Sequence, residues 1–361
     1  MSDPLAQLIN PGLRAMSAYH VPRPEGIVAK LDANEMPFAL PADLAEQLGA
    51  ELAKVALERY PLADGGALRG LLAREVGVSP DQVVLGNGSD ELIALVVAAF
   101  SAPRAGAERA AILYPTPTFV VYRMAAIAHQ VDPVEVPLRD DFTLDLAAVE
   151  HAIATRRPNV CFFALPNNPT GTLWPPEEIA ALAARHPDTI VVSDEAYIAY
   201  GGRTLAPRLP TLRNLIIMRT LSKIGMASLR VGWIAASPAL AAEVEKARPP
   251  YNVGALNQRA AEWLLEHARA WLDARAREVV TLRESLVRDL RALPALRVFD
   301  TEANLVMVKL DGATRVWEAL ASRGVLVRNF DRPGPLSGCL RITVGTASEN
   351  AALTGALRAI L

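Results

Sequence analysis

Lysine is scarce in this chain. Only Lys30, Lys54, Lys223, Lys246 and Lys309 occur among 361 residues, and arginine is abundant. Cysteine is scarcer, with Cys161 and Cys339 alone, which excludes a disulfide scaffold and fits reduced intracellular thiols. None of the histidines His20, His129, His151, His186 and His267 stands at metal-site spacing from Cys or Glu, so no metal is expected. Long apolar runs are missing too. "LIALVVAAF", starting at Leu92, falls far short of a bilayer span, so no membrane segment is expected. Neither charge sign is in excess: the net charge of −2 gives no general reason to bind nucleic acid or an anionic membrane. The start of the chain has no basic segment leading into an apolar core, so a cytoplasmic location without a secretory signal is expected. No internal repeat and no low-complexity tract is found beyond alanine richness.

Apolar residues are plentiful. They make up 51% of the chain against 21% charged, enough for a large core, and the length suggests about two domains. "RAAILYPTP" (109–117), "NVCFFALP" (159–166), "TIVVSDEAY" (189–197), "NLIIMRT" (214–220) and "VGWIAAS" (231–237) read as strands. They are nearly continuous apolar runs, as strands buried on both faces require. Helical segments lie between several of them. One is "PPEEIAALAARH" (175–186), whose prolines and glutamates suit a helix start. Alternation of strand and helix implies an α/β fold with a mostly parallel sheet between helices. The last third differs: a long helical stretch from about Asn257 to Leu293, then "NLVMVKL", a helix near "ATRVWEALASRG", "VLVRNF" and "CLRITVG". It reads as a smaller α+β domain. The expected division is a large domain over 36–255, with 1–35 as an arm joining a small domain over 256–361.

In open α/β sheets ligands bind outside the carboxyl ends of the strands. Four such ends carry unusual polar residues. "VVLGNGSDELI" runs into Gly88-Ser89-Asp90 and a helix, which makes either an anion site on free N–H groups or a glycine turn capped by Ser89. Asp90 and Glu91 oppose a phosphate there unless they point away. "FFALPNNPTG" sets Asn167 and Asn168 in a turn stiffened by prolines. Asp194 ends a β-branched run, where a carboxylate caps the next segment or awaits a cation. Lys223 follows Ser222 past a buried run, and Arg230 comes seven residues later. A desolvated lysine among cations becomes a nucleophile toward carbonyls, whereas a lone lysine at a loop start is more often a surface residue. Together, in this order, the four ends supply what pyridoxal phosphate requires: donors for its phosphate, a carboxylate for its ring nitrogen, a donor for its phenolic oxygen and a lysine for its aldehyde.

With "PNNPTG", "SDEAY" and "TLSK" in this order, the chain resembles the fold-type I aminotransferases. "LDANEMPF", "RYPLADGGALR", "GNGSDELI", "YPTPTF", "RTLSK" and "LSGCLRITVGT" make it similar, within that family, to the histidinol-phosphate aminotransferases, over residues 31–346. The resemblance implies Lys223 as the covalent attachment point of pyridoxal 5′-phosphate and the proton shuttle. It implies Asp194 at the pyridinium nitrogen, with Asn168 and Tyr197 donating to the phenolic oxygen. Gly88, Ser89, Asp90, Ser222 and Arg230 would hold the phosphate and Phe119 would cover the ring. Tyr60 would cross to the neighbouring subunit's cofactor in a homodimer. Many relatives place the arginine eight residues after the lysine, so the loop here is shorter by one.

The implied reaction exchanges an amino group between L-histidinol phosphate and 2-oxoglutarate, giving imidazole acetol phosphate and L-glutamate in histidine biosynthesis. One anion clamp must then serve both a phosphate and a carboxylate. Arg341 and Arg328 are the candidates, because a planar guanidinium suits both groups, and Tyr19 could add a contact to the phosphate. The alternatives are an aromatic amino acid aminotransferase or a phosphothreonine decarboxylase. A nucleotide-binding module is a further class, but "GNGSD" is not the G-x-G-x-x-G fingerprint and no Walker lysine follows it.

Overall fold

A computed structural model describes residues 4–14, 16 and 26–361. Among the described residues, twelve strands form two sheets. They are β1 (Ala29–Leu31), β2 (Val83–Gly86), β3 (Ala111–Thr116), β4 (Asp132–Pro137), β5 (Val160–Ala164) and β6 (Ile190–Asp194). Then follow β7 (Leu215–Thr220), β8 (Gly232–Ala236), β9 (Arg297–Val298), β10 (Leu305–Lys309), β11 (Val325–Asn329) and β12 (Cys339–Thr343). The larger sheet has the order β2-β8-β7-β6-β5-β3-β4. It is parallel except for β8, which runs against both β2 and β7. The smaller sheet has the order β1-β11-β12-β10-β9.

The apolar runs are continuous because both faces of the larger sheet are covered. Along β5, Val160 and Phe162 join the core on one side, while Cys161 and Phe163 join the core on the other. β4 is the strand with no continuous run. It alternates buried and exposed residues and carries Pro133 and Pro137, which an edge strand tolerates because one side of its backbone is unpaired. A third core forms on the smaller sheet, where Leu305, Val306, Val308, Leu340 and Ile342 meet Val279, Leu286 and Leu290. The helical stretch expected from Asn257 to Leu293 is two helices, Ala255–His267 and Arg269–Arg291, broken at Ala268. Periodicity does not show the break, because Leu265 and Leu272 on its two sides and Ala268 itself are all buried.

Register places the chemistry. Ala164 pairs with Asp194 and Asp194 with Met218, so β5, β6 and β7 end side by side. Gly86 pairs with Gly232, and Gly232 with Thr220. The loop after β2, the turn after β7 and the start of β8 therefore meet at that same edge. Gly232 permits the meeting: a Cβ there would lie 2.6 Å from the Gly88 carbonyl carbon and 2.7 Å from the Ser89 nitrogen, both backbone atoms. Gly232→Ala is accordingly expected to cost about 1–3 kcal/mol by overpacking. It should also displace the helix start at Ser89. A lower denaturant midpoint together with weaker anion binding checks this, and an unchanged pair of values would contradict it.

Candidate active site

Ser89, Asp90, Phe119, Asn168, Asp194, Tyr197, Ser222, Lys223, Arg230 and Arg341 line one cleft of about 230 Å³ at this edge. Asp194 ends β6 and is buried. Its Oδ2 accepts the Tyr122 hydroxyl at 2.6 Å and its Oδ1 accepts the Ala196 N–H at 3.2 Å. Burial pushes its carboxyl up to about 6, against the pull of those two donors. The neighbouring Glu195 is also buried, but Arg219 reaches it at 2.8 Å, and the Leu205 N–H and Thr204 hydroxyl donate to it, also at 2.8 Å. One carboxylate is thus neutralised within the protein and the other is not.

Lys223 lies in a single tight turn, Leu221–Ile224. The Ser222 N–H donates to Thr220 Oγ1 at 3.2 Å, and Gly225, at φ 92°, closes the turn. The Tyr200 hydroxyl donates to the Lys223 carbonyl. The Lys223 amine lies 5.7 Å from the centre of the Tyr197 ring, and among the described residues it forms no ion pair. A second tight turn, Ala227–Leu229, follows, and Arg230 takes a left-handed backbone at φ 52°. That conformation, which costs on the order of 1–3 kcal/mol, lets the short loop deliver Arg230 to the cleft. Arg230 Nη1 donates to Ser222 Oγ at 3.3 Å.

Opposite stands the helix Ser89–Ala99, whose start has no side-chain cap. Ser89 is not the cap that the sequence suggests. Gly88 occupies that position at φ 83°, and a Cβ on it would lie 2.5 Å from Arg230 Nη2. Glu91 does point away, accepting the Asn87 N–H and Asn252 Nδ2, each at 2.6 Å. Asp90 does not: its Oδ2 lies 3.2 Å from Arg230 Nη2. An anion at this helix start therefore competes with Asp90 for the guanidinium.

From the smaller sheet, Arg341 on β12 donates to Asn168 Oδ1 at 2.7 Å and to the Asp32 carbonyl at 2.6 Å. Arg328 lies directly opposite it in register on β11, outside the cleft lining. Tyr60 is 80% exposed and stacks on Tyr251 at 4.7 Å, away from this cleft. Tyr19 lies outside the described residues. Phe119 meets the Tyr122 ring edge-on, at 88°. Sequence reasoning missed Tyr122 and Asn34, both of which line the cleft. Tyr122 reads as a core aromatic, and only its spacing of three from Phe119, one helical turn, could have pointed to the site.

The family model for class I and II aminotransferases matches residues 26–360. A histidinol-phosphate aminotransferase of Paracidovorax citrulli (strain AAC00-1) is 46% identical over 373 residues, covering 100% of both chains. The chain belongs to the class I and II aminotransferases and, within them, to the family of the histidinol-phosphate aminotransferases. The crystal structure of the Sinorhizobium meliloti histidinol-phosphate aminotransferase in complex with pyridoxal-5'-phosphate shares the fold, with a TM-score of 0.83 at 22% identity over 98% of each chain. The L-threonine-O-3-phosphate decarboxylase of Porphyromonas gingivalis shares it too, with a TM-score of 0.79 at 23% identity over 92% of this chain and 99% of that one. The family works with pyridoxal 5′-phosphate.

The residues present fit that cofactor. The helix start is uncapped and crossed by Arg230, which suits a phosphate. Asp194 is a buried carboxylate that pairs with no cation among the described residues, which suits a protonated ring nitrogen. The titration of Asp194 has a measurable consequence for the cofactor-free protein. Its folded value of about 6 exceeds the ordinary 3.8. Between those values the folded chain holds more protons than the unfolded one, so stability falls as pH rises through the window. The fall amounts to about 3 kcal/mol. Asp194→Asn should remove that slope and raise the denaturant midpoint at pH 7 above that of the wild type. Equal midpoints for the two proteins from pH 4 to pH 7 would contradict the assignment.

Proposed function

We propose that this chain transfers an amino group between L-histidinol phosphate and 2-oxoglutarate, giving imidazole acetol phosphate and L-glutamate, in histidine biosynthesis. The observation that carries the reading is Arg341 reaching from the smaller sheet into the cleft that holds Lys223 and Asp194. One guanidinium at that position serves the phosphate of one substrate and a carboxylate of the other. Arg328, paired with Arg341 across the strands, is the second candidate for the same clamp. Tyr19 in the arm is the further candidate for the substrate phosphate.

When bound, pyridoxal phosphate supplies a carbonyl that takes up the amine and a ring that draws electrons from the substrate's reacting carbon. Asp194 would keep the ring nitrogen protonated. Asn168 and Tyr197 would donate to the phenolic oxygen, and Phe119 would cover one ring face. Gly88 and the N–H groups of Ser89 and Asp90, with Ser222 and Arg230, would grip the phosphate. Lys223 would be the attachment point, and its amine would hold and move the proton at the substrate's reacting carbon. Lys223→Ala is expected to lower turnover by on the order of a thousandfold or more, with the fold retained by circular dichroism.

Glutamate formation from histidinol phosphate and 2-oxoglutarate tests the reaction. Its absence above background would overturn it. The shared fold of the threonine-phosphate decarboxylase makes carbon dioxide release from phosphothreonine the informative control, and aromatic amino acids complete the panel.

We also infer a homodimer in the cytoplasm, with residues 36–255 as the cofactor-binding unit and 256–361 plus the arm as the smaller one. Leu57, Tyr60, Leu62, Tyr251 and Leu256 are all exposed, and Tyr60 and Tyr251 stack, as an apolar face covered by a second copy would be. Tyr60 would then complete the partner's phosphate grip. Mixing Lys223→Ala subunits with Tyr60→Ala subunits should restore up to about a quarter of wild-type activity at limiting cofactor, since half the dimers are mixed and each has one whole site. No recovery would place Tyr60 outside the partner's site.

A further inference from the structure

Asn34 lies at the turn after β1, and the roles above leave it without one. It is 1% exposed, and its backbone is left-handed at φ 55°. Its N–H donates to Thr343 Oγ1 at 2.9 Å, and Asn304 Nδ2 donates to its carbonyl at 3.1 Å. The Thr343 hydroxyl also lies 3.1 Å from Asn34 Oδ1. Because that hydroxyl oxygen already accepts the Asn34 N–H, its own proton goes to Asn34 Oδ1. The carboxamide is thereby fixed with Nδ2 facing the other way, where it donates to the Tyr197 hydroxyl oxygen at 2.9 Å. The reversed carboxamide would set two donors against Thr343 Oγ1 and leave the buried hydroxyl proton without an acceptor, which costs about 1–3 kcal/mol.

The direction of these bonds settles where the Tyr197 proton goes. A hydroxyl whose oxygen takes a bond from Asn34 keeps its own O–H for a different acceptor. Tyr197 lines the cleft. We propose that Asn34 is a positioning residue, fixed by Thr343, that turns the Tyr197 O–H into the cleft toward the phenolic oxygen of the bound cofactor. The inference rests on reading the cleft as the pyridoxal phosphate site. Thr343 stands two residues from Arg341 on the same strand, so β12 carries both the substrate clamp and the base of this chain of bonds.

The visible absorbance of the holoprotein, titrated with pH, tests the proposal without any turnover. A hydroxyl donating to the ionised phenolic oxygen lowers the proton affinity of the lysine-bound cofactor, so losing that bond raises the midpoint. Asn34→Asp keeps a residue type that tolerates the left-handed backbone, but it turns an acceptor toward Tyr197 and captures its proton. The midpoint should rise by about one pH unit. In a Tyr197→Phe background the same substitution should raise it far less, leaving only the effect of the added charge. Thr343→Val should raise it in the same direction, and Thr343→Ser, which keeps the hydroxyl, should restore the wild-type value. Equal shifts with and without the Tyr197 hydroxyl would overturn the proposal. If Asn34→Asp does not fold, Thr343→Val in the two backgrounds separates the same two outcomes. A wild-type protein that takes up no cofactor would overturn the functional reading along with it.

Discussion

Asp194 is a buried carboxylate on the wall of the cleft, with a hydroxyl and a peptide N–H as its partners. A buried carboxylate held this way is poorly compensated, which is why its proton is retained to about pH 6. A protonated ring nitrogen set against it would supply the missing positive charge. The remainder of the cleft gathers around this carboxylate. Lys223 follows the neighbouring strand, Asn168 follows the one on the other side, and the helix start with Arg230 closes the far end. The contrast with Glu195 is instructive, since one position further on an arginine neutralises the carboxylate and the pair only ties down the loop.

The cleft lies where two sheets meet, and Arg341 ties them together. It belongs to the smaller sheet, yet it donates to Asn168 beyond β5 and to the Asp32 carbonyl after β1. These bonds hold the guanidinium in place, so an anion meeting it there would cost less side-chain entropy. Asn34 ties the same elements a few residues away, through Thr343, Asn304 and Tyr197. The segment after β1 is thus a wall of the site, built from backbone and amide groups.

Much of this was legible in the sequence, for a physical reason. Asp194, Asn168 and Lys223 interrupt apolar runs at strand ends, where a buried sheet gives polar residues no structural cause to be. Arg230 was legible through its neighbourhood, although the left-handed turn that delivers it was not. Tyr122 was hidden because a tyrosine in the first turn of an apolar helix looks like core until its hydroxyl is seen to reach Asp194. Asn34 was visible only within a longer motif, since its role depends on which end of its amide faces Tyr197, and only three-dimensional contacts fix that. β4 escaped because its alternation is short and interrupted by prolines, and the break at Ala268 escaped because a helix interruption at a buried alanine leaves no periodic signal.

The central claim is that one lysine of five carries the cofactor. Reducing the holoprotein with borohydride fixes the cofactor to its lysine, and peptide mass mapping then locates it. The modification is predicted on the peptide containing Thr220-Leu221-Ser222-Lys223, with Lys30, Lys54, Lys246 and Lys309 unmodified. Cofactor trapped on any of those four, or on none, would contradict the account.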